Sequence, residues 1–375
     1  MKGKILKTAT LGGLAFPLIL LLLFARSARA VPGVIDGING PDFNLTARSG
    51  HITTPEGNSV FFWGFANGAG TIQYPGPTLI VNQGDTVTVT LNNTLPMNVS
   101  LVFPGQSVVA AEEISAPTDA AGLLAMEAGT GGTVKYSFTA AQPGTYLYHS
   151  GTRIDLQLDM GLFGALIVRP STPKQAYGHS DSAYDQEYLF LLSEMDPKIH
   201  SLVERGLMDE VDTTAYFPAY WFINGRCAPD TMFPPFVNWL PTQPYNCMPM
   251  MYPGEKLLMR VIGAGRDLHP FHHHGNHSRV IARDGRLLES GAGLGSDLSY
   301  EVFTVQSIPG QTVDAIFTWT GEGMGWDIYG HAPGDPAAPG EDLNDHGKPF
   351  PVLLPSKGDL TYGGFWRGSP VLGAL

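Results

Sequence analysis

The chain has 375 residues, which is enough for two domains of ordinary size. Its 34 acidic and 22 basic residues give a formal net charge of −12, and no basic block follows the N-terminal segment. This charge disfavours nucleic acid as a partner, because phosphate binding needs clustered lysine and arginine. The 46 glycines and 30 prolines, with charged residues at only 15%, are typical of many short strands joined by turns.

The N-terminal segment has the pattern of a secretory signal peptide. A basic start is followed by a mostly apolar stretch from Ala9 to Phe24 and by small residues at Ala28 and Ala30. An uncleaved membrane anchor is the less favoured interpretation, because Pro17 interrupts an apolar stretch that is already short for a span. We therefore predict a signal peptide over residues 1–30 and an extracytoplasmic mature chain, periplasmic or secreted, with no membrane span.

Short runs of β-branched and aromatic residues, bounded by Gly, Pro, Asn and Asp, predict an all-β fold of the sandwich or barrel type. These runs are Val60–Phe65, Thr78–Val81, Thr86–Leu91, Val134–Phe138 and Leu166–Val168. Helical periodicity is scarce, and residues 189–206 are the best place for a short helix or an irregular crossover.

The two halves of the chain resemble each other, which predicts two copies of one β-sandwich. The matching segments are Gly84–Val87 with Gly254–Leu257, Gly132–Thr139 with Gly310–Thr318, and Gly144–His149 with Gly325–His331. We expect a first domain over residues 31–172 and a second over residues 180–375, the latter with a C-terminal extension.

Cys227 and Cys247 are the only two cysteines. In an exported chain a pair of cysteines favours a disulfide over two free thiols. The alternative is that they are metal ligands, although neither belongs to a Cys-x-x-Cys arrangement.

Five of the 11 histidines fall within the nine residues from His269 to His277. Alternate side chains of an extended segment point to one side, so we expect His272 and His274 to share a pocket while His273 faces away. A transition metal explains such a cluster, and imidazole suits copper, zinc, iron or nickel. The alternative is a His-rich surface loop that takes up metal adventitiously.

Several motifs resemble those of the multicopper oxidases, a family of cupredoxin-fold domains. They are Pro75–Thr78, Gly84–Val87, Thr145–Ser150, Gly161–Val168, Ile223–Arg226 and His269–Gly275. The resemblance covers nearly the whole mature chain and implies two cupredoxin-like Greek-key β-sandwich domains. It also implies copper: a complete member holds a type 1 copper through Cys and His, and a three-copper cluster through eight histidines in four segments.

The resemblance leaves this chain with a reduced ligand set. The first segment corresponds to Val102–Gly105, which has no histidine, and the second, His149-Ser150-Gly151, keeps one. The third is intact, and the fourth, Tyr329-Gly330-His331, keeps only its last histidine. The implied copper ligands are His149, His272 at a type 2 position, His274 at a type 3 position, and His331. His269 matches a type 1 position, but a hydrogen-bonded structural role is at least as well supported.

A type 1 copper needs a thiolate, and Gly330 occupies that position. The resemblance therefore implies fewer copper ions than in a complete multicopper oxidase, and an oxidoreductase without type 1 copper. Tyr329 is best interpreted as filling space, with Asp327 and His277 supporting the ligands. Two other hypotheses remain open: a non-catalytic structural or interaction module, and a reductase-like enzyme with a single type 2 copper. An electron donor or small-molecule substrate is expected but not identified, and a homo-oligomer is compatible with the resemblance.

Overall fold

The structure is a computed structural model that describes residues 35–318 except 108, 116–123, 252–254 and 276. The predicted signal peptide, Asp327, Tyr329, His331 and the C-terminal extension lie outside the described residues. Regular structure in the described part is mostly β-strand, which confirms the all-β prediction. None of the helices found there has the length and apolar character needed to cross a membrane.

Two sheets make up the first half. Its strands are β1 (Ile38–Asn39), β2 (Asp42–Thr53), β3 (Ser59–Asn67), β4 (Ile72–Gln73), β5 (Leu79–Asn82), β6 (Thr86–Asn93), β7 (Ala110–Ser115), β8 (Thr133–Thr139), β9 (Gly144–His149) and β10 (Phe163–Arg169). One sheet has the order β4-β3-β2-β6-β8-β7 and the other the order β1-β5-β10-β9. A short helix, α1 (Ile154–Gln157), lies between β9 and β10.

The inner faces of these two sheets enclose the first core. In β6, Val87, Val89 and Leu91 are fully buried and alternate with less buried threonines, because successive side chains of a strand point to opposite faces. They pack against residues of the other sheet such as Leu79 and Leu166. The alternation of apolar and polar residues in the sequence therefore determines which side chains face the core of the sandwich.

The second half contains nine strands and one further helix in the described residues. They are α2 (Pro197–Glu204), β11 (Gln186–Met195), β12 (Tyr220–Ile223), β13 (Lys256–Gly263), β14 (His269–His272), β15 (Ser278–Arg283), β16 (Arg286–Leu287), β17 (Tyr300–Val302), β18 (Thr304–Ser307) and β19 (Thr312–Thr318). Seven strands form one sheet in the order β12-β11-β13-β19-β15-β16, with β17 paired to β15. Strands β14 and β18 form a separate two-stranded ribbon.

The internal sequence repeat is also a structural repeat. In the first half β6 pairs in parallel with β2 and antiparallel with β8; in the second half β13 pairs in parallel with β11 and antiparallel with β19. Equivalent residues of the repeat occupy equivalent positions, since Val87 lies opposite Phe138 and Leu257 lies opposite Phe317.

Strand β11 is buried on both faces and so builds two cores. Phe190 and Leu192 point into the second core, which lies between the seven-stranded sheet and the β14–β18 ribbon. Leu189 and Leu191 point into the junction core, where they meet first-half residues such as Phe62. The two halves are therefore joined by a continuous apolar contact.

The helix predicted within residues 189–206 is shorter than that range. Residues up to Met195 belong to β11, and α2 begins at Pro197 after the N-cap Asp196, whose carboxylate accepts a hydrogen bond from the Lys198 amide at 2.9 Å. The run Leu189–Met195 is mostly apolar without a helical period, which suits a strand buried on both faces. Ile199 and Val203 of α2 pack on the first core.

The predicted disulfide is wrong for this structure: both cysteines are free. Cys227 packs against the junction core and Cys247 against the second core. Because the seven-stranded sheet separates these two cores, the thiols serve as small apolar side chains in different places.

We expect both thiols to react slowly in the folded chain. Burial raises the pKa of each thiol to about 12, so very little thiolate is present at pH 8. Alkylation by iodoacetamide should be at least ~10-fold slower in the folded chain than in urea, where the thiols return to their ordinary pKa. Mass spectrometry without reductant checks this, and a mass two hydrogens lower would show that a disulfide forms after all.

Candidate metal centre

His149 is the last residue of β9 and lies beside the segment Val102–Gly105. The Val102 amide donates to the His149 carbonyl at 2.9 Å, and the His149 amide donates back to Val102 at 3.2 Å. Phe103, next in this segment, is buried, and its ring centroid lies 4.9 Å from that of Phe138. Phe103 therefore extends the first apolar core up to the strand end that carries His149.

The imidazole of His149 is held in one tautomer. Its Nδ1 lies 2.8 Å from the Ser150 carbonyl oxygen, and because a carbonyl can only accept, Nδ1 carries the proton. Burial lowers the pKa of His149, against the opposite effect of this hydrogen bond. Nε2 is left with its lone pair on a neutral ring, which is the form that binds a metal.

The third segment forms the β14–β18 ribbon. His269 lies opposite Ser307 and His272 lies opposite Thr304. Phe271 turns inward and packs on the second core, while Pro270 and His272 are exposed. The ribbon therefore has one buried face and one open face, and the open face carries His272.

His272 and His274 lie on one side of the chain, with ring centroids 5.0 Å apart. The Nδ1 of His272 lies 2.7 Å from the Phe303 carbonyl oxygen and 3.0 Å from Thr304 Oγ1. Nδ1 again carries the proton, so Nε2 keeps its lone pair and the ring orientation is fixed, as in the outer shell of metal-bound histidines.

His273 makes contacts of its own. It is half-buried, its Nε2 is in contact with Ser278 Oγ, and its ring centroid lies 5.2 Å from that of Phe317. Burial lowers the pKa of His273, with the neighbouring histidines acting in the same direction. His273 therefore has contacts that differ from those of His272 and His274, but its ring centroid lies only 6.5 Å from that of His272, and the strand ends at His272.

His269 is bound to a buried carboxylate. Its Nε2 lies 2.6 Å from Oε2 of Glu194, whose side chain is fully buried. Oε1 of Glu194 also accepts hydrogen bonds from the backbone amides of Arg266 and Asp267. Burial alone would raise the pKa of Glu194, but these hydrogen bonds, with that of His269 the strongest, hold it below its usual value. This contact supports the structural interpretation of His269.

Glu194 is a site residue that the sequence interpretation missed. It stands in β11 within a run that is otherwise almost wholly apolar, and Tyr216 Oη lies 3.2 Å from its Oε1. A carboxylate in a strand that is buried on both faces needs a specific partner. The position of Glu194 in such a strand was therefore the sequence feature that could have indicated an interaction with His269.

The described residues do not bring His149 together with His272 and His274. Among residues 35–318, apart from the gaps given above, no group of three or more His, Cys, Asp or Glu side chains is arranged to hold a metal ion. His331 lies outside this part of the chain. A metal centre would therefore need further ligands besides the pair in the third segment.

Comparisons with known proteins find multicopper oxidases and related copper proteins. Residues 63–173, which include His149, match the family model described as multicopper oxidase. Residues 63–173 therefore belong to the multicopper oxidase family. Copper resistance protein A of Escherichia coli is 32% identical over 203 residues, which cover 53% of this chain and 30% of that protein. L-ascorbate oxidase of Cucurbita maxima is 32% identical over 154 residues, which cover 41% of this chain and 25% of that protein.

Solved structures of copper oxidases and copper nitrite reductases share the fold. A blue copper oxidase from Nitrosomonas europaea has a TM-score of 0.56 at 22% identity, over 74% of this chain and 76% of that one. A copper nitrite reductase from the same organism has a TM-score of 0.51 at 20% identity, over 75% of this chain and 85% of that one. The two cupredoxin-like sandwiches predicted from the sequence are thereby confirmed. The curated matches span less than a third of the length of the relatives named here.

Proposed function

We propose that this chain is an extracytoplasmic, multicopper-oxidase-like protein that binds copper through His149, His272, His274 and His331 and lacks a type 1 copper. One observation carries the proposal. His149 and His272 each donate Nδ1–H to a backbone carbonyl, at 2.8 and 2.7 Å, and so present Nε2 as a free lone pair. Imidazole nitrogen is a good ligand for copper, and the multicopper oxidase family supports copper over the other candidates.

Bound copper would supply one-electron redox chemistry, and the protein's part is to fix the imidazoles. The backbone carbonyls of Ser150 and Phe303 set the tautomers, and the paired strands β14 and β18 set the orientation of His272. Gly330, in place of the thiolate, supports the lack of a type 1 copper. An electron donor or a small-molecule substrate completes the proposal for an oxidoreductase.

We further propose that the ligand set is completed in a homo-oligomer. No three ligands meet within the described part of one chain. The open face of the ribbon around His272 carries exposed apolar side chains, with Leu268 52%, Ile308 40% and Phe303 59% accessible. Apolar side chains grouped on an open face favour a protein contact.

A non-catalytic module is the second candidate, and it has its own supporting observation. The segment Val102–Gly105 has no ligand, and Phe103 fills this part of the first core. On this hypothesis the fold serves as a structural or interaction module, and the histidines have no role in catalysis.

Metal content separates the two candidates. We expect the purified chain, loaded with Cu(II) and desalted, to retain copper without the intense visible band of a thiolate-bound type 1 copper. His272→Ala and His274→Ala should each weaken copper binding at least ~10-fold, because each removes a directly bound imidazole and changes to outer-shell groups alone cost ~10- to 100-fold. Isothermal titration with Cu(II), together with electron paramagnetic resonance of the loaded protein, measures both effects.

His273→Ala is the matched control, because it removes a neighbouring imidazole that faces Ser278. It should leave the affinity for copper within a factor of ~2 of the original. Copper near zero per chain, or equal small effects at all three positions, would favour the non-catalytic module.

A further inference from the structure

Two buried polar side chains lie directly behind His149, at the edge of the first core. Ser150 and Gln157 are both fully buried, although Leu156 and Leu162, which also belong to this part of the core, are apolar. Hydroxyl and amide groups cost free energy to bury unless they are hydrogen-bonded. The hydrogen bonds of Ser150 and Gln157 therefore indicate what these two side chains hold in place.

The hydroxyl of Ser150 closes a tight turn around the peptide group that His149 contacts. Ser150 Oγ accepts a hydrogen bond from the Thr152 amide at 3.1 Å, which is the pattern of a serine turn. Gly151 lies between these two residues, and the backbone freedom of glycine makes such a restraint necessary. The turn therefore sets the direction of the Ser150 carbonyl, whose oxygen accepts from His149 Nδ1 at 2.8 Å.

Gln157, the last residue of α1, holds this turn from the other side. Ser150 Oγ donates to Gln157 Oε1 at 2.6 Å, and Gln157 Nε2 donates to the Asn98 carbonyl at 2.8 Å. The backbone of Gln157 is itself fixed, because its amide donates to the Arg153 carbonyl at 2.8 Å and its carbonyl accepts from the Leu162 amide at 3.0 Å. The Ser150 hydroxyl is therefore restrained by the helix as well as by its own turn.

The carbonyl that fixes His272 is held in a different way. His272 Nδ1 donates to the Phe303 carbonyl at 2.7 Å, and Phe303 directly precedes Thr304, which pairs with His272 between β18 and β14. Strand pairing restrains that carbonyl, whereas the acceptor of His149 lies beyond the end of β9. Buried polar side chains thus support the acceptor that has no strand pairing of its own.

We infer that Ser150 and Gln157 are positioning residues, which hold the Ser150 carbonyl against His149 Nδ1 and so leave Nε2 as the metal-binding nitrogen. Neither side chain contacts the metal, because both act through the carbonyl. Without the Ser150 hydroxyl the peptide can turn away, and the ring proton then also occupies Nε2, where it blocks a metal. The use of Nε2 for copper rests on the function proposed above, whereas the positioning is a property of the metal-free chain.

The test is the tautomer of His149 in the full chain, labelled with ¹⁵N, stripped of metal with a chelator and kept at pH 8, where imidazole is neutral. Two-bond ¹H–¹⁵N correlation spectra distinguish the protonated from the unprotonated ring nitrogen, and His149→Gln assigns the signals. We expect the Nδ1–H form to dominate in the original chain. Ser150→Ala should lower the ratio of Nδ1–H to Nε2–H about fivefold, the usual contribution of one neutral hydrogen bond.

Gln157→Met is a second variant, which nearly conserves volume and keeps the Ser150 turn but removes its partner on α1. It should lower the same ratio about twofold, and it decides the question if Ser150→Ala does not fold. After loading with Cu(II), both variants should bind the ion about tenfold more weakly, the lower end of the range for outer-shell changes. A shifted tautomer with unchanged copper binding would contradict the proposed role of His149 as a ligand, while the positioning would stand.

Ser100→Ala is the matched control. Ser100 is equally buried, and its hydroxyl bonds to Thr152 Oγ1 at 2.9 Å rather than to Ser150. It should leave the His149 ratio unchanged, and the His272 ratio should stay the same in every variant. A Ser150→Ala chain that melts cooperatively and keeps the original His149 ratio would overturn the inference, as would an equal shift in Ser100→Ala.

Discussion

Replacing Arg260 with methionine should destabilise the folded chain by roughly 3–5 kcal/mol, the usual cost of leaving buried charges without a partner. Arg260 is fully buried in β13. Its Nε donates to Glu187 at 3.0 Å, and its Nη1 donates to Thr145 Oγ1 at 2.9 Å and lies 3.8 Å from Asp314. Methionine fills much of the same volume but offers no positive charge, so buried Asp314 loses its cationic partner and Glu187 keeps only Arg169.

Arg260→Met should weaken the junction between the two halves of the chain. Thr145 belongs to β9 of the first half, and its hydroxyl donates to Asp314 of β19 at 2.6 Å. Arg169, at the end of β10, donates to Glu187 at 2.6 Å. Burial raises the pKa of Asp314 even with Arg260 present, and removing the guanidinium takes away the main group that opposes this rise.

Urea unfolding at 25 °C measures the change as a shift of the transition midpoint. Arg286→Met, at an exposed position in β16, is the control and should change stability by less than ~0.5 kcal/mol. Adding Glu187→Gln and Asp314→Asn to Arg260→Met should restore part of the loss, because the unpaired charges are then gone. Equal midpoints for Arg260→Met and the original chain would show that the network contributes no net stability.

Local patterns in the sequence were sufficient for the strands and the repeat. Alternation in Thr86–Leu91 and Val134–Phe138 gave two strands that pair in the structure, and the matching segments of the second half pair in the same way. Such patterns work because the period of 2 is fixed by the backbone of a strand. The same rule predicted that His272 and His273 would point to opposite sides, but the strand ends at His272 and the two rings lie 6.5 Å apart.

What the sequence could not provide were contacts between distant segments. The two cysteines stand 20 positions apart, yet they point into cores on opposite sides of one sheet, and only the tertiary fold determines this. Glu194 and His269 meet although 75 positions separate them. The contact between His149 and Val102 likewise joins segments 47 positions apart, and the sequence analysis did not predict it.

Asp159→Asn should remove a large part of the pH dependence of stability between about pH 4 and pH 7. The side chain of Asp159 is fully buried after α1, and the polar contacts of its carboxylate with the Asp196 backbone and the Tyr216 side chain do not offset the effect of burial. Burial raises the pKa of Asp159 to about 7, although the positive charge of Arg266 acts in the other direction. Nearby His200 gives no compensating charge, because burial lowers its pKa to about 4.

The sign follows from the protons bound in each state. Between the unfolded pKa near 4 and the folded pKa of about 7, the folded chain keeps the Asp159 proton that the unfolded chain has lost, so stability falls as pH rises. By pH 8 this amounts to ~4 kcal/mol, taken as ~1.4 kcal/mol for each unit of pKa difference. Asparagine is neutral throughout, so the variant should be more stable than the original chain at pH 8 by about this amount and similar to it at pH 4.

Urea unfolding across this range measures the difference, with Asp209→Asn at an exposed position as the control. If Asp159→Asn and the original chain lost stability in parallel as pH rises, the titrating group would have to be a different one, and Asp159 would have to be ionised in the folded chain with its charge balanced by Arg266.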